Sequence, residues 1–140
     1  MTQYLILLPA DEARWEAASE SERATTYERH RRFMEQLAER GHQLIGGAEL
    51  THSRNARVVR GGLDDVTVTD GPFAETVEQL TGFYGVETDD LADLLAVCGL
   101  LAGEHGVEVR AAVEPTGQEG TEPVHLDEEP ARSWREGVNA

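Results

Sequence analysis

Acid–base side chains are concentrated at two points of this chain. The first is the run Thr69-Asp70-Gly71-Pro72-Phe73-Ala74-Glu75-Thr76. Asp70 ends a predicted strand, Gly71 permits an unusual backbone angle and Pro72 fixes the next one, so the carboxylate is held in place. Such a residue either serves the chemistry of a site or caps a following helix, a duty worth about 0.5–2 kcal/mol. The second point is His30, which sits in the apolar stripe of a predicted helix and not on its charged face. An inward histidine is either a hydrogen-bonded core residue or an acid–base group.

The remaining candidates carry less. His42, His52, His105 and His125 are scattered without paired ligand spacing, and Cys98 lies in an apolar stripe, so no metal site is expected. Gly46-Gly47 lacks the strand-to-helix setting of a nucleotide loop and reads as a bulge or a close backbone contact. No G-x-S-x-G elbow is present, so hydrolysis through a covalent serine fits poorly. No cofactor is implied.

The elements that must position these residues are legible in the pattern. Tyr4 to Leu8 is apolar at every position and predicts a strand buried on both faces. Asp11 to Ala18 reads as a capped helical turn carrying Trp15. Ser19 with Glu22 forms a capping box that opens a helix running to Arg40, with Tyr27, His30, Met34 and Leu37 facing inward beside Phe33. Strands are expected at Leu44–Leu50, Ala56–Arg60, Leu63–Thr69 and Thr81–Glu87, with a tight hairpin turn at Gly61-Gly62. A short helix is expected within Pro72–Leu80. A second long helix is predicted from Asp89 to Ala102, with Leu91, Leu94, Leu95, Cys98 and Leu101 buried, and a last strand from Val107 to Val113. This order is the ferredoxin-like βαββαβ plan with an added hairpin: an α+β domain with helices on one face of a two-layer structure. A chain this short has too few helices to cover both faces of the sheet, so a homodimer is the economical cover.

The domain is expected over residues 1–114, followed by an acidic Pro/Gly-containing extension over 115–140. Trp134 within that extension either docks on the body or travels with a mobile tail. Twelve basic residues against 27 acidic ones leave a net charge of -15, which repels nucleic acid and anionic membranes alike. One cysteine, no secretory start and no apolar run near the ~20 residues of a membrane span point to the cytoplasm.

The string TDGPFAETVEQLTGFYGVE, with RHRRFMEQL and LIGGAEL upstream and VEVRAAV at the end, resembles the YCII-related family, specifically its DGPF-containing branch, over about residues 3 to 113. The resemblance implies a dimeric ferredoxin-like fold with a cleft holding a helix histidine and the aspartate of the DGPF segment, matched here by His30 and Asp70. A carboxylate beside the imidazole would orient it and favour its protonated form. Such a dyad suits proton transfer next to a carbonyl or double bond in a small organic molecule: isomerisation, elimination or tautomerisation. Trp15, Gly71 and Phe73 are the candidate ligand-binding residues; Trp15 and Phe73 serve either a flat or cyclic ligand or core packing, whereas Tyr84 reads as core. Some related sequences lie beside or fused to extracytoplasmic-function sigma factors. A non-catalytic small-molecule-binding or sigma-factor-associated regulatory accessory protein is therefore the alternative.

Overall fold

The computed structural model describes residues 1–114. The extension from 115 to 140, with Trp134 and His125, lies outside the described residues. The elements run β1 (Thr2–Asp11), α1 (Glu12–Ala17), α2 (Glu20–Glu39), β2 (Gln43–Glu49), a 3-10 turn (Ser53–Asn55), β3 (Arg57–Arg60), β4 (Thr67–Asp70), β5 (Glu78–Thr88), α3 (Leu91–Val97), α4 (Gly99–Ala102) and β6 (Glu108–Ala111). The main sheet has the order β2-β5-β1-β6 with every neighbour antiparallel, and β3 and β4 form a separate ribbon. This α+β arrangement is compatible with the ferredoxin-like plan.

Alternation along the two central strands divides the sheet. Ile6 and Leu8 of β1 and Tyr84 and Val86 of β5 point to one side, where Phe33 and Leu37 of α2 and Leu94, Val97 and Cys98 of α3 and its end close the core. On the other side Leu7 stands opposite Phe83, and Leu5 opposite Gly85. Ile45 is the extra residue of a bulge in β2, and its side chain lies across the hollow at Gly85. Among the described residues no helix packs on this face, and Leu5 is 41% exposed.

Helix ends follow the capping rules. Ser19 accepts from the Glu22 N–H at 3.1 Å, and Asp11 accepts from the N–H groups of Ala13 and Arg14. Three expectations change. The Gly61-Gly62 turn is a six-residue loop from 61 to 66, because Gly61 folds back so tightly that a Cβ there would lie 2.1 Å from the Asp65 carbonyl oxygen. The strand expected from Leu63 therefore begins only at Thr67. Pro72–Leu80 contains no helix. Thr76 Oγ1 bonds the Glu78 carbonyl and Gln79 Nε2 donates to the Ala74 carbonyl at 2.8 Å, so side chains occupy carbonyls that a helix would use. The helix expected over Asp89–Ala102 is divided at Cys98-Gly99, and Val97 is buried where Leu91 and Leu95 were expected.

The C-terminal end of α2 is pinned to the sheet and α3 by a buried polar chain. The Asp90 N–H donates to Thr88 Oγ1 at 3.0 Å, Thr88 Oγ1 meets His42 Nδ1 at 2.7 Å, and His42 Nε2 meets Asp93 Oδ2 at 2.7 Å. A carboxylate only accepts, so His42 Nε2 carries a proton. Arg40 completes the chain at 2.8 Å from Asp93 Oδ1, and together with His42 it holds that carboxyl below its usual range, the His42 bond contributing most. His42→Ala is expected to lower stability by about 2–3 kcal/mol, since it removes a buried side chain that makes two hydrogen bonds, one of them to the buried Thr88 hydroxyl; the urea midpoint measures it.

Candidate functional site

The 20-residue α2 lies over the sheet so that Tyr27 and His30, one turn apart, meet two side chains of the strands beneath. His30 Nδ1 is 2.7 Å from the Tyr84 hydroxyl. Tyr27 donates its hydroxyl to both oxygens of Glu49, at 3.1 and 3.3 Å. Glu49 and Gly47 alternate along β2 on the side that faces α2, and Gly47 is paired with Tyr84. A Cβ at Gly47 would stand 2.9 Å from Tyr84 Cδ1 and 2.8 Å from the Phe83 carbonyl oxygen. The missing side chain at 47 thus leaves room for the Tyr84 ring, which packs on Phe33 with centroids 5.0 Å apart and carries its hydroxyl to His30.

Tyr27, His30 and Glu49 line a cleft of about 660 Å³ between α1, α2 and the ends of β1 and β2. Trp15 forms one wall, edge-on to Tyr27 with centroids 5.6 Å apart. Arg23 fastens that wall: its guanidinium lies 5.3 Å from the Trp15 ring centre and donates to the carbonyls of Trp15 and Glu16. At the rim Arg14 pairs with Glu104 at 3.1 Å, and Arg54 with Glu16 at 2.7 Å, a bond that holds the Glu16 carboxyl below its usual range.

Burial dominates the electrostatics. It lowers the His30 pKa to about 4, so the ring is neutral at physiological pH. Burial, followed by the charge of Glu49, raises Tyr84 above the usual phenol range, and the same two causes raise Tyr27. A phenol kept protonated beside a neutral imidazole donates to its Nδ1, which leaves the ring proton on Nε2.

Of the predicted site residues, the fold brings Trp15 and His30 into this cleft. Asp70 lines a separate cavity with Gly71, beyond a wall formed by Asp11, Glu12 and His52 that belongs to both spaces. The Asp70 side chain is 85% exposed and pairs with Arg57 Nε at 3.1 Å, across the β3–β4 ribbon. Phe73 is 83% exposed with the Arg60 guanidinium 5.4 Å from its ring centre. The ribbon turns these residues onto an arm whose ties run within it, among them Gly71 N–H to the Ala56 carbonyl at 2.8 Å.

Three residues of this arrangement were not singled out for chemistry in the sequence: Tyr27 and Glu49 in the cleft, and Tyr84 beneath it as the partner of His30. The available signal was Gly46-Gly47 inside a strand, which announces a bulky neighbour, together with Tyr27 and His30 at i and i+3. A family model described as the YCII-related domain matches residues 2–99. No curated protein matches the chain.

Ring-proton NMR is expected to place the His30 midpoint near 4, well below the ordinary 6.5. Asp70→Asn should leave it in place, whereas Tyr84→Phe, which removes the donor to the neutral ring, should raise it; a drop in Asp70→Asn would restore the Asp70 pairing. Between pH 6.5 and 4 the unfolded chain takes a proton that the folded chain refuses, so stability falls as pH falls through that window. His30→Gln should flatten this acid slope by up to about 3 kcal/mol, read from urea unfolding at stepped pH.

Proposed function

The chain belongs to the YCII-related family, and from that premise we propose a cofactor-free proton-transfer protein, isomerase or lyase in type, acting on a small organic molecule. In our reading the DGPF string marks it as a member of the DGPF-containing branch, and its place of action is the cytoplasm. One observation carries the proposal: a neutral imidazole, fixed at Nδ1 by a buried phenol 2.7 Å away, lines a cleft of ligand size with an aromatic wall. His30 is the group that meets the reacting atoms and Tyr84 is its positioning residue. Asp70 takes part as orienter only if the β3–β4 arm moves, since its carboxylate is engaged by Arg57.

The low His30 pKa also favours a second reading, a small-molecule-binding or sigma-factor-associated regulatory accessory protein without turnover. A ring that resists protonation is a good hydrogen-bonding partner for a ligand and a weak base.

In both readings two copies pair through the sheet face of Leu5, Leu7, Ile45 and Phe83, where among the described residues Leu5 is exposed and the other three are half-buried, a partial exposure with a solvation cost.

A thermal-shift screen of cyclic ketones, lactones and phenols should find a ligand, because binding at 100 times Kd stabilises by about 2.7 kcal/mol. With that ligand as substrate, His30→Ala should lower kcat by about 100-fold or more. Retained turnover in His30→Ala would remove His30 from the chemistry, and binding without wild-type turnover would select the second reading. Light scattering should return twice the 15.4 kDa chain mass, and Leu5→Arg should halve it; a wild-type monomer would sink the pairing.

A further inference from the structure

Removal of a proton from carbon requires a base, and a buried imidazole with a pKa near 4 is poorly suited to that work. The cleft contains another candidate. Glu49 sits at the end of β2 in the same cleft as His30, and its two oxygens are aimed by one bifurcated bond from Tyr27. Among the described residues no Lys, Arg or His lies within ion-pair distance of it, whereas Glu16 and Glu104 of the same cleft are neutralised by Arg54 and Arg14. Its charge is felt by both phenols, Tyr27 and Tyr84. Asp70, the carboxylate that the sequence suggested for this site, lies in the neighbouring cavity.

We infer that Glu49 is the catalytic base of the cleft and that its substrate is a carbonyl compound with a hydrogen on the adjacent carbon. This rests on the proton-transfer reading above. In the step, that hydrogen passes as a proton to a Glu49 oxygen. The C–H electron pair becomes the carbon–carbon double bond of an enolate, and the carbonyl oxygen takes the negative charge. His30, with its proton on Nε2 because Tyr84 donates to Nδ1, gives a hydrogen bond to that oxygen and remains an imidazole. Return of the proton from Glu49 to a carbon of the enolate system completes an isomerisation with no oxidant, reductant or metal consumed. A neutral histidine suits this duty, since a donor that stays neutral stabilises the oxyanion without first having to be protonated.

The test follows exchange of the α-hydrogens of β-tetralone in D2O by proton NMR, using the full chain. Wild type should accelerate exchange over buffer. Glu49→Gln should reduce that acceleration about 100-fold, while Glu22→Gln, the same charge change in the same cleft, should not. Added acetate should restore part of the exchange to Glu49→Ala, which loss of a structural contact would not allow. A lowered Tyr27 titration midpoint in Glu49→Gln would establish that the variant is folded and the charge gone. If wild type is active and Glu49→Gln matches it, or if acetate rescues nothing, Glu49 is not the base while the proton-transfer reading stands. If wild type fails to accelerate exchange, both fall.

Discussion

The burial of Tyr84 under α2 is the interaction on which the rest of the site depends. Its ring is wholly buried, packed on Phe33 and seated over the bare backbone of Gly47. That position serves two ends of the molecule. The ring packs in the apolar core between the sheet and α2, while the hydroxyl bonds and fixes His30, which lines the cleft. A buried phenol must find a hydrogen-bond partner, and a buried imidazole must too. Each satisfies the other at one atom, so core stability and the geometry of the candidate site are coupled at a single contact.

Desolvation then decides the chemistry. The same burial that orders His30 keeps it neutral, and the same burial that orders Tyr84 keeps it protonated. The result is a hydrogen-bonding pair with a defined tautomer in place of a charged dyad. The Glu49 carboxylate enters from a different element, at the end of β2, and is held by Tyr27. Two cross-layer couples one helical turn apart, His30 with Tyr84 and Tyr27 with Glu49, thus divide the work between a neutral donor and a charged group.

At the opposite end of α2 the His42–Asp93–Thr88 chain pins the layer against the sheet. Between that pin and the Tyr84 contact the helix has little freedom to slide, so the i and i+3 spacing of Tyr27 and His30 becomes a spacing over the sheet. The β3–β4 ribbon stands apart from this frame. Val59, Val68 and Phe73 are more than half exposed on it, and its ion pair and cation–π contact join residues of the arm to each other. The DGPF segment accordingly belongs to the arm, and the cleft is built without it.

The sequence by itself determined the order of the main strands and of the long helix, the capped starts of α1 and α2, the inward stripe that contains His30, and a bulge or close backbone contact around Gly46-Gly47. These follow from local chemistry: a serine three residues before a glutamate, an apolar period of 3.6 or 2, a glycine pair inside a strand. Short-range competition defeated the Gly61-Gly62 turn and the helix after Pro72, where Asp65, Thr76 and Gln79 take backbone partners that no periodicity reveals. Only the tertiary structure decided that Glu49, and not Asp70, shares a space with His30. Asp70 is prominent in the sequence because its neighbours constrain it, but ribbon pairing with Arg57 turns it outward. Glu49 is inconspicuous among so many acidic residues, and its place in the cleft depends on strand register, on the crossing of α2 and on a glycine that admits Tyr84. Proximity between residues far apart in the chain is a property of packing, and packing is not written in any local pattern.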